Sequence, residues 1–422
     1  MQKKKNLKLF YMAYFILGFV IPIFDPLYPY FSKSFNVGFD KIGLVFFGGS
    51  LTAIISMISA GRISDKFPLR KLFLWSYAIS FAGFAVFSVF HNFIGLIITV
   101  IMVNVGLNIF WPAAYAKVFH DHNENYSTMY VKLERVYYLA TALGPLLISL
   151  LLYLNLYPRY IFVFLLFLFI LLFSIFYTGY KDKTSHGLTT DHSQSKSDVA
   201  INADISSNTK PFSAGNPDKN KKVKLHKKIS SFFTPVVIVA NISLTLFGGV
   251  MLGTSSWLTT YFISFNIPVS LSSLFVAVYW FSTFIGLQIL TKIIGRIKEE
   301  KILFYGGIVC AVSLICFSFI NIIYVKILFL MLIGISIAGV YPLCGAITVN
   351  ANPKSAGTSS GITIAMGLLG GLIVSPVMGF VAQYLGKKYI PFVLMVLAVL
   401  GTITSAILLR IIFNKNRKTA KV

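Results

Sequence analysis

The sequence predicts an all-α polytopic membrane protein: twelve transmembrane helices arranged as two six-helix bundles. Three observations carry the prediction. The chain is 56% hydrophobic and 12% charged, with a mean hydropathy of +0.78, whereas a soluble domain is about 25% charged. Twelve stretches reach the ~20 largely apolar residues that a bilayer crossing needs, and one long polar stretch divides them six and six. The two halves also carry proline motifs in register. Trp111-Pro112 and Gly144-Pro145 are matched by Tyr341-Pro342 and Ser375-Pro376, offset by 230 and 231 residues. Six crossings return the chain to its starting side, so the halves are parallel repeats, and a binding site is expected where they meet.

The first half, residues 1–179, begins with Lys3, Lys4 and Lys5 and a segment at 7–31 with no small-residue cleavage site, read as a retained helix. Pro22, Pro26 and Pro29 are expected to distort its outer part, where Asp25 stands. That carboxylate either serves a frayed, wet helix end or faces a cavity as a protonatable acid. Segments follow at 41–61 and 72–90, joined by a basic loop, and then at 93–118 and 128–153, which hold the most unusual residues. Asn104, Asn108, Trp111 and Tyr115 share one helical face. Glu134 and Arg135 lie about two turns inside the next helix. A charge at the centre of a membrane helix costs about 2.5–3.5 kcal/mol or more, so such groups face a protein interior or a wet cavity. Glu134, Tyr138 and Thr141 share a face. Helix breaks are expected at Pro112, at Gly144-Pro145, and at their counterparts Pro342 and Pro376. His120, Asp121, His122 and Glu124 read as a solvated turn with no supporting ligand set, so no metal or cofactor is expected. Segment 159–179 is almost purely aliphatic and aromatic and reads as lipid-facing.

Residues 180–231 are rich in Ser, Asn and Lys and poor in aromatics, and are expected to form a disordered cytoplasmic linker. The second half, 232–422, supplies segments at 232–264, 269–292, 302–322, 324–348, 358–384 and 390–413 and a basic tail. Its only acids are Glu299 and Glu300. Thr254, Ser255, Ser256 and Trp257 form a mixed patch, and Tyr279, Trp280 and Gln288 follow in the next segment. Cys310, Cys316 and Cys344 lack metal-ligand spacing and read as packing residues.

The formal charge of +24 invites a nucleic-acid reading, but its placement argues for a membrane. With a cytoplasmic N-terminus, 27 Lys and Arg fall in loops and tails on that side. Six fall opposite: Lys33, Lys41, Arg159, Lys326, Lys387 and Lys388. This is the positive-inside pattern, with both termini cytoplasmic and the cell membrane as the expected location.

Across essentially its whole length the chain resembles the major facilitator superfamily. The loop after the second segment is similar to that family's signature Gly-x-x-x-Asp-[Arg/Lys]-x-Gly-[Arg/Lys]-[Arg/Lys]. Gly61, Asp65, Lys66 and Arg70 match it, while Pro68 and Leu69 depart from it. Gly144-Pro145 is similar to the core of the antiporter motif of the drug–proton branch, with Ile148 and Ser149 where that motif has glycines and Met102 where the branch has an arginine. The resemblance implies alternating access by rocking of the halves, with helices 1, 4, 7 and 10 lining a central cavity. It also implies that the loop with Gly61, Asp65, Lys66 and Arg70 latches against helix 11.

These residues point to a secondary transporter rather than an enzyme. No phosphate-binding Gly-x-x-x-x-Gly-Lys-[Ser/Thr] loop is present to use ATP, and no nucleophile–base pair stands out. Asp25, Glu134 and Arg135 are the candidates for proton coupling, since burial and a nearby cation move a carboxyl in opposite directions. Tyr28, Asn104, Asn108, Trp111, Tyr138, Ser255 and Trp257 are the candidates for the substrate cavity. Aromatics with few charges suit an amphipathic or cationic organic solute, which points to export of drug-like compounds. Uptake of a sugar, organic acid or peptide-like nutrient, with Arg135 as the anion ligand, is the alternative. The expected partners are a small-molecule substrate, protons and membrane lipids, and the expected state is a monomer.

Overall fold

A computed structural model describes residues 2–64, 67–121, 126–156, 159–180, 234–351 and 356–419. Nearly all of the linker at 180–231 lies outside these residues, as do Asp65, Lys66 and the turn at 122–125. The described residues form α1 (Gln2–Val20), α2 (Tyr28–Phe35), α3 (Phe39–Ser64), α4 (Leu69–Val89), α5 (Phe93–Asp121), α6 (Tyr126–Tyr153) and α7 (Arg159–Gly179) in the first half. The second half holds α8 (Pro235–Phe262), α9 (Val269–Ile293), α10 (Glu299–Phe319), α11 (Ile323–Ile337), α12 (Val340–Ala351), α13 (Ala356–Phe380) and α14 (Ile390–Thr419). Among the described residues, eleven stretches are long and apolar enough to cross a membrane, the last being a 54-residue run, Ile362–Lys415, that contains two helices.

The proline-rich end of the first crossing behaves as its sequence predicts. Helix α1 gives way to two 3₁₀ turns, Ile21–Ile23 and Asp25–Leu27, each with proline in its first two positions, and α2 restarts with Pro29. It ends at Asn36, in the left-handed region at φ 50°, whose N–H returns to the carbonyls of Ser32 and Lys33.

The other proline motifs need correction. Pro112, Pro145 and Pro376 all sit inside continuous helices, so they are not breaks. Packing from neighbouring helices holds such a helix together although each proline removes one backbone bond. Gly144 serves close packing instead, because a Cβ there would collide with the Phe19 carbonyl of α1. Of these four prolines only Pro342 stands in a divided crossing: α11 ends at Ile337 and α12 begins at Val340. Pro342 has no N–H to give the Ala338 carbonyl, and Gly339 follows directly.

Each half buries an aromatic and aliphatic core. In the first, the Phe73 ring lies 5.5 Å from each of Phe10, Phe110 and Phe176, edge-to-face or tilted geometry that adds about 0.5–1.5 kcal/mol per pair beyond area burial. The halves meet along two seams, α6 on α9 and α3 on α13. Glycines permit the second: Gly43 of α3 lies against Ser375 and Gly379 of α13.

Candidate functional site at the interface of the halves

The turn after α1 carries Asp25 out of the helix and toward α8. Ser255 donates to its Oδ2, and Ser256 donates to its Oδ1 at 3.0 Å. Adjacent serines thus grip both oxygens of one carboxylate across the interface. Trp280 Nε1 of α9 in turn donates to Ser255 Oγ at 2.8 Å, which orients that hydroxyl. Three residues beyond Asp25, the buried Tyr28 ring packs 5.3 Å from Trp257 and 4.2 Å from Phe46.

This end of the molecule, opposite the termini, is further closed by three contacts. The Phe39 N–H at the start of α3 donates to Gln383 Oε1 at 2.9 Å. The Lys387 ammonium stands 4.9 Å over the Phe39 ring. Ser149 Oγ of α6 donates to the Ser270 carbonyl of α9 at 2.7 Å. Tyr28, Ser255 and Trp257 therefore close the interface here, whereas the sequence reading assigns them to an open cavity wall. Trp257 is wholly buried.

At mid-depth a line of rings crosses from one half to the other. Trp111 lies 5.1 Å from Tyr14 and 5.4 Å from Tyr137, Tyr137 lies 5.5 Å from Tyr138, and Tyr138 lies 6.0 Å from Trp280. Glu134, one turn before Tyr137 and Tyr138, lies within electrostatic reach of both hydroxyls and of Tyr341 on α12. Arg135 points elsewhere: its Nη2 donates to Thr291 Oγ1 of α9 at 2.6 Å, a third tie between α6 and α9. Thr141 is buried and bonds back to the Tyr138 carbonyl.

The two asparagines are turned onto their own helix. Asn104 donates to the Val100 carbonyl and Asn108 to the Asn104 carbonyl, each at 2.8 Å, which leaves their carbonyl oxygens as acceptors. Asn104 also packs on Gly49 of α3. Of the expected latch, Gly61 lies in the last turn of α3, and Asp65 and Lys66 lie outside the described residues. Arg70 reaches α7 of its own half, where it donates to the Tyr177 carbonyl and lies 5.3 Å over the Tyr177 ring. That carbonyl is among the last four of α7, which have no intrahelical partner.

Sequence reasoning did not select Ser256, Trp280, Gln383 or Tyr341 as site residues. The first two stood in view beside Ser255 and Tyr279, but nothing local says that a serine pair faces an acid 230 residues away. Gln383 acts from the turn after α13 and leaves no periodic signal.

The Major Facilitator Superfamily model matches residues 10–375. Among solved structures, the nucleoside transporter NupG superposes with a TM-score of 0.72 at 11% identity, covering 97% of this chain and 100% of that one. The D-xylose-proton symporter gives 0.71 at 13% identity, with 96% and 97% covered. The E. coli fucose:proton symporter FucP gives 0.65 at 14% identity, with 96% and 98% covered. No curated protein matches the sequence. A family match over most of the chain, the two-bundle fold and an acid held at the seam between the bundles agree: this multi-pass membrane protein belongs to the Major Facilitator Superfamily and is a transporter of small molecules.

Proposed function

We propose that the chain is a proton-coupled carrier in which Asp25 takes up the coupling proton. The observation that carries this is the grip of Ser255 and Ser256 on the Asp25 carboxylate. As an anion Asp25 accepts two charge-assisted bonds, which are roughly twice as strong as neutral ones. Protonation removes the charge and weakens both, so binding a proton and parting the halves become one event. The closed end is read as extracellular, because the positive-inside count assigns both termini to the cytoplasm. The carrier then rests with its outer side shut.

The solute reading follows from the ring line and from Glu134. One carboxylate beside Tyr137, Tyr138 and Tyr341 suits an amphipathic organic cation, which gains from both charge and ring faces. Export of such compounds in exchange for protons is the activity we assign. Proton-coupled uptake of a sugar-like nutrient is the second reading, supported by Asn104 and Asn108, whose amide nitrogens bond back to their own helix and whose side-chain oxygens are acceptors. Two of the fold neighbours are likewise sugar–proton symporters, one for fucose and one for D-xylose.

The test is transport in proteoliposomes. Asp25→Asn should abolish flux driven by a pH gradient and retain solute exchange at equal pH. Gradient-driven flux at the wild-type rate rejects the coupling role. Acceleration by lipophilic cations of proton movement through the wild-type protein, with none by sugars, selects the first reading.

A further inference from the structure

Lys326 reads in sequence as an outer-loop cation, yet it is completely buried. It stands in the first turn of α11, where the helix dipole disfavours a positive charge. The acids of its own half, Glu299 and Glu300, lie at the far end of α10, about 30 Å away at 1.5 Å per residue. The ammonium is met instead by one helix C-terminus, one phenol hydroxyl and three rings. It donates to the Phe317 carbonyl at 2.5 Å and to the Tyr261 hydroxyl at 2.6 Å. It also lies 4.9 Å from the Phe317 ring centroid, 5.3 Å from Tyr261 and 5.4 Å from Phe265. Phe317 belongs to the last turn of α10, whose carbonyls lack intrahelical donors. Tyr261 belongs to the last turn of α8. The negative end of α10 and the ring faces both favour a cation, and together they take the place of a counter-ion.

The geometry points to an ammonium-binding site built by Tyr261, Phe265 and Phe317, whose ligand is the chain's own Lys326. The occupant ties the end of α8 to the ends of α10 and α11. Serines 255 and 256 lie less than two turns before Tyr261 on α8, so the tie keeps the surface that meets Asp25 fixed to its own bundle. This assignment is independent of the solute and of which acid carries the proton.

An empty site of this kind should accept a free primary ammonium. Lys326→Ala removes a group of the size and charge of n-propylammonium. The full-length variant, purified in detergent, should melt below wild type. Propylammonium should raise its midpoint saturably by about 3 °C or more, the effect of a ligand present well above its dissociation constant. The same concentration of 1-propanol should not, and neither compound should shift the wild type. Equal rescue by propanol would mean that the hole is merely apolar and would overturn the proposal, as would no rescue, or an equal shift in the wild type. Should the variant fail to fold, acylation by a water-soluble amine-reactive ester gives a second measure. In folded wild type Lys326 should stay unmodified while the exposed Lys33 and Lys388 react, and in Tyr261→Phe it should react at least tenfold faster. Wild-type Lys326 reacting as fast as Lys388, or no acceleration in Tyr261→Phe, would overturn the proposal.

Discussion

Replacing Asp25 with Asn tests the closed end most directly. The carboxylate takes two hydroxyl bonds from the opposite half, from Ser255 and Ser256. A hydrogen bond to a charged group contributes about 1.5–3 kcal/mol and a neutral one about 0.5–1.5, so losing the charge removes about 1–1.5 per bond. The side chain is only partly buried, and solvent screening places the pair near the low end, about 2 kcal/mol. At 1.4 kcal/mol per tenfold, the ratio of closed to open forms should fall about 25-fold. Spin labels at Lys33 and Lys388, two exposed positions on opposite halves at that end, report it. Labelling requires replacement of Cys310, Cys316 and Cys344. The reference protein should show mainly the short distance, and Asp25→Asn should gain a long-distance population. The double variant Ser255→Ala, Ser256→Ala removes the same bonds without touching the acid and should shift in the same direction. An unchanged distance distribution in both variants would show that the serine–carboxylate contact does not hold this end shut.

Three further outcomes are expected. Gln383→Leu removes the acceptor of the Phe39 N–H, a neutral bond of about 0.5–1.5 kcal/mol. It should open the same spin-label pair several-fold less than Asp25→Asn does. Glu134→Gln should weaken binding of a lipophilic cation to the purified protein by about tenfold, one charge at partly screened range, and leave affinity for a neutral analogue unchanged. Calorimetric titration measures both. Gly370→Val should lower the thermal midpoint by several degrees or prevent folding, because a side chain there meets the Thr245 carbonyl and the Gly249 nitrogen of α8. Melting of the detergent-purified variant checks this.

What was legible in the sequence was whatever the bilayer constrains locally. Long apolar runs, the basic loops and the kinked proline cluster around Asp25 each follow from one residue's needs in lipid. Pro112, Pro145 and Pro376 misled because a proline's lost bond is a local fact, whereas helix continuity is decided by the neighbours packed around it. Asp25 stood out as a misplaced acid, but its partners lie in the other half and no periodicity links them. Lys326 misled in the opposite sense. Its position at a helix start is that of a loop cation, and only the meeting of α8 and α10 gives it somewhere to go. Tyr28 and Trp257 read in sequence as substrate-cavity residues, and a sequence does not say which of two conformations buries them.

The tenth crossing is divided where its counterpart in the first half is not. Its counterpart α5 runs unbroken through Pro112, while the Ala338–Gly339 step leaves α11 and α12 as separate pieces. At this pair of crossings the first half thus presents a stiff rod and the second a jointed one. Tyr341, near Glu134, rides on the piece beyond the joint, so it can swing without dragging α11 or the Lys326 anchorage with it. Sealing around a bound solute is then expected to be lopsided, with the second half bending and the first serving as the anvil.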